Sequence, residues 1–203
     1  MRTNPRPDNT RAATPHWRGR SPSCMLGLSM AHGFDDYRIF ISAPGDMDRD
    51  REAICDAISR VNADLSMPAK ILLVPVSLRE NAQIEGHRSI VSDNVRWSSY
   101  FIQLFQDDWG PRELFRKLFQ LAVECRQDSS LPMRDIVVCL KSAPHDTDER
   151  VVAWRRELAE RTDLRVIQYE RADELQERIA EVCAAWGRAL IAAGAENSRI
   201  AES

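Results

Sequence analysis

From residue 37 onward, short and nearly continuous apolar runs alternate with stretches whose apolar residues recur every three to four positions. The runs YRIFIS (37–42), KILLVPVS (70–77), SYFIQLF (99–105), DIVVCLK (135–141) and LRVIQYE (164–170) have strand length. Several are apolar at both odd and even positions, the pattern of strands covered on both faces. Between them, Ala53, Ile54, Ala57, Ile58 and Val61 share one helical face, and Leu114, Phe115, Leu118, Phe119, Ala122 and Cys125 share another. Val151, Val152, Leu158 and Ala159 mark a third helix, and Leu175, Ile179, Val182, Cys183, Trp186 and Leu190 a fourth. The segment NAQIEGHRSIVSDNV (81–95) is the weakest helix, because Gly86 falls inside it.

Strict alternation of strand and helix predicts a parallel sheet with right-handed crossovers and helices on both faces. The expected architecture is an α/β, flavodoxin-like, doubly wound domain with five strands in the order 2-1-3-4-5. Ligands of such sheets sit beyond the carboxyl ends of the strands, where the winding reverses between the first strand and its neighbour. Residues Ser42 to Asp46 leave the first strand at that edge and Asp107 to Pro111 leave the third, so the two loops are expected to meet at one crevice.

The first 33 residues carry five Arg, one acid and four of the ten prolines without apolar periodicity. They read as a disordered basic tail, or alternatively as a mis-assigned start with Met25 or Met30 as the true one. The stretch CMLGLSMA within it is too short and interrupted for a secretory leader. A single domain is expected over 34–195, followed by a disordered tail over 196–203. Residues 34–203 hold 23 Lys plus Arg against 30 Asp plus Glu, a balance of 23 − 30 = −7, which argues against nucleic-acid binding. No apolar run reaches the roughly 20 residues of a membrane helix, so the expected location is the cytoplasm. Cys24, Cys55, Cys125, Cys139 and Cys183 lack paired spacing and read as reduced thiols, four of them on apolar positions. No metal site is expected.

The corner SAPGD (42–46) combines a proline that fixes the entry, Gly45 for a turn that excludes a Cβ, and Asp46 as a helix cap. A ligand reading adds the Ser42 hydroxyl and the helix-start N–H groups facing a phosphate or ribose. Neither G-x-x-x-x-G-K nor G-x-G-x-x-G occurs, so a nucleoside-triphosphate loop is excluded. Arg51 is expected to pair with Asp46 or Asp50, or with a ligand anion. Trp109, beside Gly110, can stack on a base or pack its helix. His87 reads as a surface residue, and His145 and Asp146 lie in a loop at the same edge as the crevice.

A strand ending in S-x-P-G-D, then Arg51 in RDRE, and a third strand followed by DDWG together resemble the bacterial group called domain of unknown function 4062. That group is similar to the Toll/interleukin-1 receptor (TIR) superfamily, and the likeness spans about residues 37 to 145. The resemblance implies a signalling or defence domain that acts through a protein partner or self-association, with a nucleotide-type ligand at the carboxyl edge. It also implies an alternative, cleavage of NAD or nucleoside transfer by a carboxylate near the start of the helix after the third strand. Glu113 is expected in the first turn of that helix and Glu124 about 16 Å further along at 1.5 Å per residue, which makes Glu113 the catalytic candidate. Ser42, Gly45, Asp46, Arg51, Trp109 and Gly110 would line the ligand pocket. The serine-plus-glutamate pattern of NAD-cleaving relatives and the Asp-x-Gly-Thr stretch of nucleoside transferases are absent.

Overall fold

The structure, a computed structural model, describes residues 33–77, 88–107, 113–142 and 149–201, with side chains from 90 to 107 in the second segment and up to 196 in the last. Five parallel strands, β1 (Asp35–Ser42), β2 (Ile71–Ser77), β3 (Tyr100–Phe105), β4 (Asp135–Lys141) and β5 (Arg165–Tyr169), form one sheet in the order β2-β1-β3-β4-β5. This is the flavodoxin-like order, and the strand bounds agree with the apolar runs to within about two residues. Every residue of the central β3 is buried, which is why its sequence is apolar on both parities.

Alternate strand residues feed two cores. Ile39, Ile41, Tyr100, Ile102, Val137, Cys139 and Ile167 pack with the apolar stripes of α1 (Asp48–Val61) and α5 (Ala172–Ala201). Phe40, Phe101, Phe105, Ile136 and Val138 pack instead with α2 (Arg88–Arg96), α3 (Leu114–Gln127) and α4 (Glu149–Glu160). Helix α1 carries Asp48 and Asp50 in its first turn and Arg60 in its last, charges that complement the helix dipole. On α5, Trp186 stacks on Tyr100 with centroids 4.1 Å apart and donates from Nε1 to Asp135 Oδ2 at 2.9 Å.

Past Val61 the regular helix gives way to other turns, a change that the apolar periodicity of α1 does not signal. The chain continues through a π-helical stretch, Asn62–Ser66, and a short 3-10 turn, Met67–Ala69, and stops at Lys70 in the left-handed region with φ 59°. The Asn62 side chain turns toward β2, where Nδ2 donates to Leu73 O at 2.8 Å and Oδ1 accepts from Leu73 N at 2.9 Å. In a parallel strand both backbone groups of one residue point to the same side, so Leu73 and, two residues on, Pro75 face the outer margin of β2.

One boundary needs correction. Helix α5 runs unbroken to Ala201, where a tail without structure was expected from 196; Gly194, Asn197 and Ser198 weaken a helix without ending it, and the stretch has no proline. Helix α2 covers the second half of 81–95, and 81–87, with Gly86 and His87, lies outside the described residues. The basic N-terminal segment, including Cys24, lies outside them as well. Among the described residues, no helix is long and apolar enough to cross a membrane.

Candidate functional site

The winding reverses between β1 and β3, and the last residue of β1, Ser42, is in register with Gln103 of β3. Both share the parity of Phe40 and Phe101, so their side chains lie on the α3 side of the sheet. Gln103 is fully buried, and its Nε2 donates to Ser42 O at 3.2 Å and Leu104 O at 2.7 Å. Gln103 Oε1 and Ser42 Oγ, equally buried, have no hydrogen-bond partner among the described residues. An unsatisfied buried polar atom costs about 1–3 kcal/mol, and two of them at one switch point set this spot apart from the apolar core around it.

The corner after Ser42 is built differently from expectation. Residues Gly45–Met47 form a 3-10 turn before α1, and neither that turn nor α1 receives a side-chain cap. Asp46 lies inside the turn and is exposed, displaced from a capping position by the extra turn. Gly45 is not among the residues with positive φ, so it marks a right-handed turn rather than one closed to a Cβ. Arg51 pairs with Asp48, one helical turn back, rather than with Asp46 or Asp50. Its Nη2 also donates to Ala43 O at 3.3 Å and Pro44 O at 3.4 Å, which ties the corner to α1 from within.

Glu113 occupies the N-cap position of α3 rather than its first turn, with a left-handed backbone at φ 55°. Its side chain is 59% exposed and pairs at 3.6 Å with Arg116. It follows β3 and so belongs to the carboxyl edge, while Glu124 lies in the last turn of α3. Trp109, Gly110, His145 and Asp146 lie outside the described residues.

Three polar groups at this edge were missed in the sequence. Asp50, 1% exposed, reaches from α1 to the end of β4, where Lys141 Nζ donates to its Oδ2 at 2.9 Å. Arg155 of α4 donates to Gln106 O at 2.6 Å and Lys141 O at 2.7 Å, bridging the ends of β3 and β4. Tyr169, the last residue of β5, sits beside Asp50, and burial, with the carboxylate's charge and that of Cys139, pushes its phenol well above the ordinary value. Periodicity held a clue: Asp50 stands four residues before Ile54 and seven before Ala57, on the apolar stripe of α1.

No family profile matches the chain, and no curated protein does. Among solved structures, it resembles the metal-soaked flavodiiron core of a Synechocystis sp. PCC6803 protein, with 15% identity, a TM-score of 0.42, and coverage of 80% of this chain and 37% of that one. A mutant of the PilB minor pilin from Streptococcus sanguinis gives 9% identity, a TM-score of 0.43, and coverage of 77% and 62%. The chain thus spans less than two thirds of each of these structures, and likeness at this level carries no argument about what it binds.

Proposed function

We propose that the chain is a TIR-like signalling or defence domain that acts through protein association and reads a nucleotide-type ligand at the switch point. The observation that supports a ligand there is the register pair Ser42 and Gln103, whose buried Oγ and Oε1 lack partners at the edge where sheets of this order bind ligands. The SAPGD corner, braced by Arg51, supplies one wall. The association half rests on the resemblance of S-x-P-G-D, RDRE and DDWG to the TIR-like group. Light scattering across micromolar to near-millimolar protein, with and without NAD, tests the reading. Assembly that grows with concentration and shifts with NAD is expected, the shift being lost in Gln103→Ala. A monomer under every condition would overturn it.

A second reading is favoured by the left-handed backbone of Glu113, a conformation that concentrates at functional sites in residues other than glycine. Here the domain cleaves NAD or transfers a nucleoside, and Glu113 stabilises the oxocarbenium-like ribose. Glu113→Gln would lower nicotinamide release by at least about a hundredfold, as loss of a transition-state carboxylate does, and Glu124→Gln would do little. No nicotinamide release by the wild type under assembling conditions would end this reading and leave the first intact.

A further inference from the structure

On the other face of the sheet from Ser42 and Gln103 lies a polar pocket of about 440 Å³. Arg49 and Asp50 from the first turn of α1, Lys141 at the end of β4, and Glu170, Arg171 and Asp173 at the β5–α5 junction line it. We propose that this pocket binds a small hydroxylated anion of the sugar-phosphate class, with Asp50 accepting a hydrogen bond from a ligand hydroxyl and Lys141, Arg49 and Arg171 holding the anionic group.

Asp50 carries the argument. It is 1% exposed and lines the pocket, Lys141 engages only its Oδ2, and Oδ1 accepts no hydrogen bond of ordinary geometry among the described residues. A buried carboxylate oxygen calls for a donor. An ammonium group is disfavoured there by the cations Lys141, Arg49 and Arg171, so a neutral hydroxyl fits best. The Tyr169 hydroxyl, also buried, faces the Asp50 carboxylate as a neutral phenol.

The anionic group is drawn by the same three cations. Lys141 has one of its three protons committed to Asp50. Two helices of 14 and 30 residues open at the pocket, and their first-turn N–H groups add positive potential. Opposing this, Glu170 and Asp173 stand at the rim, Asp173 already held by Arg171. These acids work against a bare multivalent anion and favour a ligand that presents hydroxyls alongside its charge. The pocket is separate from the switch-point site, and neither proposal depends on the other.

Calorimetric titration of the full chain with ribose 5-phosphate, AMP, ribose and inorganic phosphate tests the assignment. Saturable binding of ribose 5-phosphate is expected, tighter than either ribose or phosphate alone. AMP bound more tightly than ribose 5-phosphate would mean that the group is read within a nucleotide, and weaker AMP would point to a free sugar phosphate. Asp50→Asn is expected to weaken binding at least about tenfold, the scale of a charge-assisted hydrogen bond. The exposed-rim variants Arg49→Ala and Arg171→Ala, which leave the core untouched, are each expected to weaken it several-fold and keep the test open should Asp50→Asn fail to fold. No saturable binding at millimolar ribose 5-phosphate, or phosphate binding as tight as the sugar phosphate, would overturn the proposal. Affinity that ignores both arginine variants would do the same.

Discussion

Asp50 and Lys141, 91 positions apart, meet at 2.9 Å beyond the carboxyl end of the sheet and join the first turn of α1 to the last residue of β4. Asp50 is buried while Lys141 keeps 29% of its side-chain surface. The burden of desolvation therefore falls on the acid, and removing the lysine is the damaging change.

Lys141→Met is expected to destabilise the domain by about 3 kcal/mol, the lower end for stranding a buried charge, whereas the double variant Asp50→Leu with Lys141→Met recovers most of the loss. Urea midpoints of the two single variants and the double variant check this. A double variant no more stable than Lys141→Met would show that the ion pair itself contributes the stability.

Backbone conformation reverses the ranking suggested by the SAPGD corner. Glu113 holds φ 55°, and Gly45 lies in a right-handed 3-10 turn. Glu113→Gly should therefore stabilise the fold, by up to about 1 kcal/mol, since left-handed residues with a Cβ carry that order of strain. Gly45→Ala should change stability by less than about 1 kcal/mol. A loss larger than that at Gly45, or a loss at Glu113→Gly, in chemical denaturation would contradict these conformations.

Alkaline pH should destabilise the native state. Burial raises Cys183 from 9.0 to about 12 and Tyr100 from 10.0 to about 12. The folded state thus holds protons that the unfolded chain releases, and stability, complete below about pH 9, falls as pH rises toward 12. Denaturation midpoints between pH 8 and 11 should decline, and Cys183→Ala should flatten the decline. Native Cys139 and Cys183 should also resist a thiol reagent at pH 8, because the buried thiols remain protonated.

Trp186→Phe removes the Nε1 bond to Asp135 while leaving an aromatic ring on Tyr100. A loss of about 1–2 kcal/mol is expected, the scale of a buried hydrogen bond to a charged acceptor, seen as a lower thermal midpoint. An unchanged midpoint would mean that the bond adds nothing beyond the stacking.

The sheet was legible because covered strands are apolar on both parities, as YFIQLF of β3 is at five of its six positions. The candidate site was less so, because single polar residues carry it. Gln103 reads in sequence as a blemish in an apolar strand, and only the register with Ser42 gives it meaning. Asp50 was hidden among Asp46, Asp48 and the arginines of DRDRE, where charge alone cannot tell an inward acid from an outward one. The insertion of a 3-10 turn changed which acid faces Arg51, and such short-range geometry is set by tertiary contacts that local propensity does not record.

The pairing of Asn62 with Leu73, together with Pro75 two residues on, closes the outer side of β2. An open strand margin is a template on which a second polypeptide can add its own strand. Here one side-chain amide already occupies both backbone groups of Leu73, and Pro75 offers no N–H to a newcomer. Recruitment of partners by β-augmentation is thereby blocked along this margin. A partner that approaches beside β2 meets helix faces and loops instead, and such contacts can be reversed without unpicking the sheet.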